Sequence, residues 1–174
     1  QSYYPHKNLL ITEIVTNFMT AVLKSLNATD FKELNTYSKM KIFIYLILEQ
    51  GIQDEGVERV VKSILSDSDS LDRWSQILDD WLRNEGVKHD LGSDRQVQIG
   101  LNFIVTAGGS LYIKRAELDL DADEISDIMV KTFMSTFLSM DESKIDQTID
   151  EAKSALQKYE LATLTQTINE MFDN

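Results

Sequence analysis

The chain has 174 residues, enough for one domain or for one domain with an appendage, and its 43% apolar content can supply a sizeable core. Its formal charge of −12, from 17 basic and 29 acidic side chains, repels phosphate groups and excludes most of the surface as a nucleic-acid contact. The absence of cysteine excludes disulfides, thiolate metal sites and cysteine nucleophiles.

The hydropathy pattern argues against a membrane span. The longest unbroken apolar run covers residues 42–48, far short of the roughly 20 residues that a membrane-spanning helix needs. No cleavable signal pattern heads the sequence. We therefore expect a soluble, cytoplasmic protein.

The first half of the sequence predicts four helices. One proline and seven glycines leave few helix breakers, and apolar residues recur every three or four positions. A helix of roughly 20 residues is predicted after Pro5, whose missing N–H suits a helix start. A short helix capped by Asp30 follows, then a helix from about 37 to 50 that is apolar nearly all round, and a weaker one from about 57 to 65.

The second half continues the helical pattern. A helix capped by Ser68 or Ser70 is predicted to run to about Gly86. Two wide apolar helices are predicted from about 94 to 117 and from about 122 to 139, the second with acidic N-terminal caps. Two amphipathic stripes follow Met140. The periodicity predicts the all-α class and a helical bundle.

Aromatic and methionine side chains at helical spacing indicate a candidate ligand pocket, although the same pattern is typical of ordinary core. The candidate pocket residues are Met40, Phe43, Ile44, Ile47, Trp74, Leu78, Trp81, Phe103 and Tyr112.

Two adjacent glycines, Gly108 and Gly109, lie inside a helical pattern, where each costs about 1 kcal/mol relative to alanine. Close approach of another helix or of a ligand would compensate for this cost. The partner helix could belong to the same chain or to a second subunit, and the sequence leaves both alternatives open.

No motif in the sequence indicates catalysis or metal binding. The acidic run 119–124 has carboxylates at alternate positions but lacks the glycine and the closing glutamate of a calcium loop, so helix capping is the better interpretation. His6 and His89 have no metal-ligand spacing around them. We predict no enzyme activity, no metal and no cofactor.

The opening stretch YYPHKNLL resembles the segment that closes the helix-turn-helix domain in TetR-family transcriptional repressors. Tyr3 and Tyr4 match an aromatic pair at the end of the recognition helix, Pro5 matches the loop and Lys7 a lysine before the connecting helix. The resemblance implies that Tyr3, Tyr4 and Lys7 contact DNA phosphates. It divides the chain into a remnant of the DNA-binding domain at 1–6, a ligand-binding and dimerisation domain at 7–140 and a helical extension at 141–174.

The stretch 101–137 is similar to the last two helices of the family's regulatory domain, which pair across a two-fold axis as a four-helix interface. The resemblance implies an antiparallel helical bundle like the ligand-binding and dimerisation domain of that family, and it implies a homodimer. Its interface residues would be Leu101, Val105, Gly108, Gly109, Tyr112, Ile125, Met129, Phe133 and Phe137.

The resemblance implies a ligand-responsive regulator in which an effector bound among the central helices changes the spacing of two DNA-reading heads. We expect a small, largely apolar effector, with a slight preference for cations because the chain is acidic. Operator DNA would be bound only by a longer chain carrying the complete helix-turn-helix domain. The alternative is a stand-alone helical interaction module that docks a partner through the stripe between Ile145 and Met171.

Overall fold

The computed structural model describes residues 3–28, 30–85 and 94–158, and it confirms the all-α class, with no strand in those three stretches. A 3-10 turn at Asp30–Glu33 and a π-helical turn at Phe133–Phe137 accompany the α-helices. The α-helices are α1 Tyr3–Ala28, α2 Thr36–Gln53, α3 Glu55–Leu65, α4 Ser68–Asn84, α5 Asp94–Ile113, α6 Arg115–Leu118, α7 Ala122–Thr132 and α8 Glu142–Lys158.

Asn and Asp side chains start four of these helices. The Asn35 side chain accepts from the backbone N–H of Tyr37 at 2.8 Å, and Asp54 caps α3 in the same way. Asp67 caps α4 by accepting from Ser70 N at 3.0 Å, so the predicted cap at Ser68 or Ser70 was wrong. Asp121 caps α7, as the acidic run predicted. These caps satisfy N–H groups that have no partner inside the helix.

Helix α2 lies at the centre of the fold. It packs against α1, α3, α7 and α8, and α5 packs between α4 and α7. Twelve residues of α2 are buried, which agrees with its nearly all-round apolar sequence. One continuous hydrophobic core runs from Met19 on α1 to Ala155 on α8.

The predicted helix from 122 to 139 is divided. The α-helix ends at Thr132, and the wider π turn then places Phe133 and Phe137 on either side of Gly100. A Cβ at Gly100 would stand 2.8 Å from Cγ of Phe137 and 3.0 Å from Cδ1 of Phe133. The absence of a side chain at Gly100 therefore lets the rings of Phe133 and Phe137 pack close to the backbone of α5.

The described part of the predicted extension shares the core of the rest of the chain. Ile145, Thr148, Ala152 and Ala155 of α8 are buried, chiefly against α2. The hydroxyl of Ser38 donates to the backbone oxygen of Thr148 at 3.0 Å and to Oε2 of Glu151 at 2.9 Å. The division at residue 140 thus does not separate two cores, and residues 159–174 lie outside the described part. The division after residue 6 falls within α1.

A candidate ligand cavity and an uncharged contact face

A small closed cavity lies between α2, α3, α4, α5 and α7, with a volume of about 20 Å³. Such a volume has room for about one water molecule. Its lining residues are Phe43, Ile44, Ile47, Leu48, Leu65, Trp74, Leu78, Val105, Gly108, Gly109 and Met129.

The cavity lining carries no charged side chain, and its one side-chain hydrogen-bond donor is the indole of Trp74. Trp74 is 8% exposed, and its Nε1 is buried without a hydrogen-bond partner among the described residues. A donor buried without an acceptor costs about 1–3 kcal/mol. The walls of the cavity are therefore almost wholly apolar.

Two of the three glycines of α5, Gly108 and Gly109, contribute bare backbone to the cavity wall. A Cβ at Gly108 would collide with Sδ of Met129 on α7 and stand 2.6 Å from its Cε. A Cβ at Gly109 would stand 3.2 Å from Cδ2 of Leu65 on α3. Of the two alternatives for these glycines, the structure shows packing within the chain.

The structure brings together five of the nine predicted pocket residues, namely Phe43, Ile44, Ile47, Trp74 and Leu78. The other four do not line the cavity. Met40 and Trp81 are buried elsewhere in the core, and Tyr112 packs against Gly51. Phe103 is 54% exposed on the outside of α5.

Eight of the nine predicted interface residues are buried by the chain itself, so a second copy could not touch them. Phe137 is the ninth and is half-buried. The eight buried residues are Leu101, Val105, Gly108, Gly109, Tyr112, Ile125, Met129 and Phe133. Four of them, Val105, Gly108, Gly109 and Met129, line the cavity instead. The exposed residues of these helices lie on their outer sides.

The outer side of α5 is exposed and uncharged. Residues 96–113 contain no Asp, Glu, Lys or Arg, although a quarter of the whole chain is charged. The groove on this side is lined by Arg95, Gln98, Ile99, Asn102, Phe103, Thr106, Ala107 and Ser110, and we call its uncharged part, from Ile99 to Ser110, the α5 face. The ring of Phe103 lies 5.4 Å from that of Phe137, and Ile128 of the neighbouring α7 is also exposed. In the sequence, this face is indicated by the long uncharged span 96–113. A regular spacing of apolar residues does not indicate it.

A buried cation joins α2 to the start of α7. Nζ of Lys41 donates to the backbone oxygen of Asp123 at 2.8 Å, to its Oδ1 at 2.9 Å and to the hydroxyl of Ser126. Oδ1 of Asp127 lies 2.9 Å from the same nitrogen. Lys41 is 1% exposed, so this cluster is a buried contact between α2 and α7. Helix α7 also carries Met129, which lines the cavity.

A second polar cluster joins α3 to α6. Nη2 of Arg115 donates to Oε1 of Glu58 at 2.7 Å, and Nζ of Lys62 lies 3.0 Å from the same oxygen. The hydrogen bond from Arg115, followed by that from Lys62, lowers the pKa of Glu58 below its usual value. The guanidinium of Arg115 also lies 4.4 Å above the ring of Tyr112, and burial raises the pKa of that tyrosine.

The structure adds little on the remaining predicted sites. The backbone of Tyr3, Tyr4 and Lys7 forms the first turns of α1, but their side chains, like that of His6 and all of His89, lie outside the described part. Within 3–28, 30–85 and 94–158, no three acidic or histidine side chains are placed to hold a metal ion. None of the described helices combines the length and apolar character needed to cross a membrane.

Comparisons with known proteins give no further identification, since no protein-family model, curated protein or solved structure matches this chain. The function is therefore argued from the cavity and the α5 face.

Proposed function

We propose that this chain is the effector-binding and dimerisation domain of a ligand-responsive transcriptional repressor resembling the TetR family. The observation that supports the proposal best is the two-sided character of α5. Its inner side forms the cavity wall at Val105, Gly108 and Gly109, and its outer side is the exposed, uncharged α5 face. One helix thus offers a ligand site and a subunit contact together.

The homodimer is supported by the charge distribution. Two copies of a chain with a formal charge of −12 repel each other over most of their surfaces. The α5 face brings no acidic group into a contact, and it exposes Ile99 and Phe103 to water. A second copy packed on this face would bury both side chains, and the one charged residue that lines the same groove, Arg95, is basic.

Transmission to DNA is supported by the position of α1. Met19, Val22 and Leu26 of this helix are buried, and α1 packs against α2, α3 and α4, all of which contribute to the cavity wall. An effector that separated these helices would shift α1. In the proposed regulator, the start of α1 carries the DNA-binding heads, with Tyr3, Tyr4 and Lys7 contacting phosphates.

The interaction-module alternative has less support. Its docking stripe begins at Ile145, but Ile145 and Ala152 are buried in the core of this chain. The part of the stripe beyond 158 lies outside the described residues. The first half of the stripe is therefore not free to receive a partner.

The proposal is tested by the solution mass of the chain, measured by light scattering over a concentration series. We expect a dimer for the wild type and a monomer for Thr106→Glu, which places a carboxylate on the α5 face without removing a buried group. Ser63→Glu is the matched control, because it makes the same kind of change at an exposed hydroxyl on α3. A monomeric wild type, or dimers of equal affinity for both variants, would reject the proposed interface.

A further inference from the structure

We propose that a cleft between α4 and α5 binds a short linear diamine, with one ammonium group at Asp72 and the other at Asp79. The cleft has a volume of about 220 Å³. It is separate from the internal cavity, and the inference does not rest on the proposed function. The residues that line the cleft are Asp72, Ser75, Gln76 and Asp79 of α4 with Gln98 and Asn102 of α5.

The lining of the cleft matches a cation. All six lining side chains are polar, and the two charged ones are both acidic. Ser75 and Asp79 are buried, whereas the other four lining residues are exposed, so the cleft has a floor and opens to water. An anion would be repelled by the two carboxylates, and an apolar molecule would bury polar groups without pairing them. The cleft therefore favours a positively charged ligand that carries several N–H donors.

Both carboxylates keep acceptor capacity for such a ligand. Asp72 forms no hydrogen bond or ion pair through its side chain with any described residue. Oδ2 of Asp79 accepts from Nε of Arg83 at 3.2 Å, and no described donor reaches its Oδ1. Arg83 is also drawn towards Asp94, whose Oδ2 lies 3.6 Å from Nη1. The described chain thus leaves Asp72 without a cation and Asp79 with one free oxygen.

The neutral side chains of the cleft add further acceptors. The hydroxyl of Ser75 already donates to the backbone oxygen of Leu71 at 3.1 Å. Nδ2 of Asn102 donates to the backbone oxygen of Gln98 at 2.9 Å. Since these donors are engaged, the lone pairs of the Ser75 hydroxyl and the Asn102 amide oxygen are left to accept from a ligand.

The spacing of the carboxylates favours two separated positive charges. Asp72 and Asp79 are seven residues apart, so they lie on the same side of α4 and about 10 Å apart along its axis. One metal ion binds oxygens at about 2.0–2.6 Å and would not be held by both carboxylates. Four methylenes separate two ammonium groups by roughly 6 Å, and a hydrogen bond of about 2.8 Å at each end lets such a diamine reach both.

The experiment compares 1,4-diaminobutane, 1-aminobutane and 1,4-butanediol, which share one carbon chain and differ in the number of positive charges. Binding is followed at pH 7 through the ¹H–¹⁵N signals of the full chain. We expect the diamine to shift signals within 72–79 and 98–102 and to bind roughly fivefold more tightly than the monoamine, the upper end for one more exposed ion pair. The diol should shift none of them.

Two variants isolate the second charge contact. In Asp72→Asn, the diamine should bind no more tightly than the monoamine. Asp80→Asn is the matched control, because it removes the same charge from an exposed residue of α4 that does not line the cleft, and it should keep the fivefold preference. Magnesium chloride, added at the concentration of the diamine, should not displace it.

Equal affinities of the wild type for the diamine and the monoamine would overturn the inference without any variant. A preference that survives Asp72→Asn, or displacement of the diamine by equimolar Mg²⁺, would overturn it as well. The solution mass of the same samples separates the two proposals. A monomer with the diamine preference would keep this inference and reject the dimeric regulator, whereas a dimer without the preference would do the opposite.

Discussion

The side chain of Tyr112 on α5 fills the space in front of Gly51 on α2. Cζ of the tyrosine lies 3.2 Å from the position that a Cβ of Gly51 would occupy, and its hydroxyl oxygen lies closer still. Tyr112 is fully buried, and its hydroxyl has no hydrogen-bond partner within the described chain. The contact therefore depends on shape alone, and it joins two helices that both contribute to the cavity wall.

This contact predicts strong coupling between substitutions at the two positions. Gly51→Ala should destabilise the fold by about 1–3 kcal/mol because the new methyl group meets the tyrosine hydroxyl. Tyr112→Phe removes an unsatisfied buried hydroxyl and should be neutral or stabilising by about 1 kcal/mol. In the double variant most of the alanine penalty should disappear. Urea denaturation of all four proteins measures the coupling, and strictly additive effects would show that the two side chains do not compete for space.

The buried cluster at Lys41 predicts a second stability difference. Lys41→Met leaves Asp123 and Asp127 facing each other without a cation and should cost about 2 kcal/mol. The loss stays below the usual range for an unpaired buried charge because Asp123 is half exposed to water. Replacing both aspartates by asparagine in the Lys41→Met background should recover most of the stability, as measured by urea denaturation.

Lys39→Met is the matched control for that series. Lys39 is also buried on α2, but its one described ion pair is with Glu85 at 3.3 Å. Its replacement should cost less than that of Lys41. Equal losses for the two lysines would show that the contacts of Lys41 with α7 add nothing beyond burial of the side chain.

The attachment of α8 to α2 predicts a local effect. Glu151 accepts from the hydroxyl of Ser38 at 2.9 Å and from the backbone N–H of Asn35 at 3.4 Å, close to the positive end of α2. Glu151→Ala should cost about 1–2 kcal/mol and should speed amide hydrogen exchange in 142–158 more than in α5. Asp150→Ala, at the exposed neighbouring residue, should change neither quantity. Uniform acceleration over the whole chain would contradict a local attachment.

The lowered pKa of Glu58 predicts loss of stability in acid. A carboxyl group with a lower pKa in the folded than in the unfolded state contributes stability above its unfolded value of about 4.3, and that contribution is lost as the pH falls through the folded value. Unfolding measured from neutral pH down to about pH 3 should show a steeper acid loss for the wild type than for Glu58→Gln. Glu55→Gln, at the exposed start of α3, should keep the wild-type slope.

Much of the fold was predictable because helix period and capping are local properties. The apolar period located every described α-helix except the short α6, and the acidic run before α7 gave its cap correctly. The pocket was predictable in part. Phe43, Ile44 and Ile47 on α2, together with Trp74 and Leu78 on α4, could be chosen because large apolar residues on neighbouring helices tend to meet in the core.

For α5, the apolar period through Val97, Leu101, Ile104 and Val105 identifies the side that is buried, but it does not show which helices cover that side. Its inner side carries Val97 and Leu101, and its outer side carries Ile99 and Phe103. Which helices cover the inner side depends on tertiary contacts, such as those of Phe137 with Gly100 and of Met129 with Gly108. The resemblance-based interface was therefore assigned to residues that the chain itself covers.

Helix α5 alone separates the cavity from the α5 face, and a helix with its side chains is about 10 Å across. A ligand beside Gly108 and a second copy against Thr106 would act on opposite sides of the same few turns. Ligand binding and dimerisation are then thermodynamically linked. If the ligand changes the dimerisation constant by some factor, dimerisation changes the affinity for the ligand by the same factor. Ligand affinity would accordingly depend on protein concentration, and Thr106→Glu would abolish that dependence.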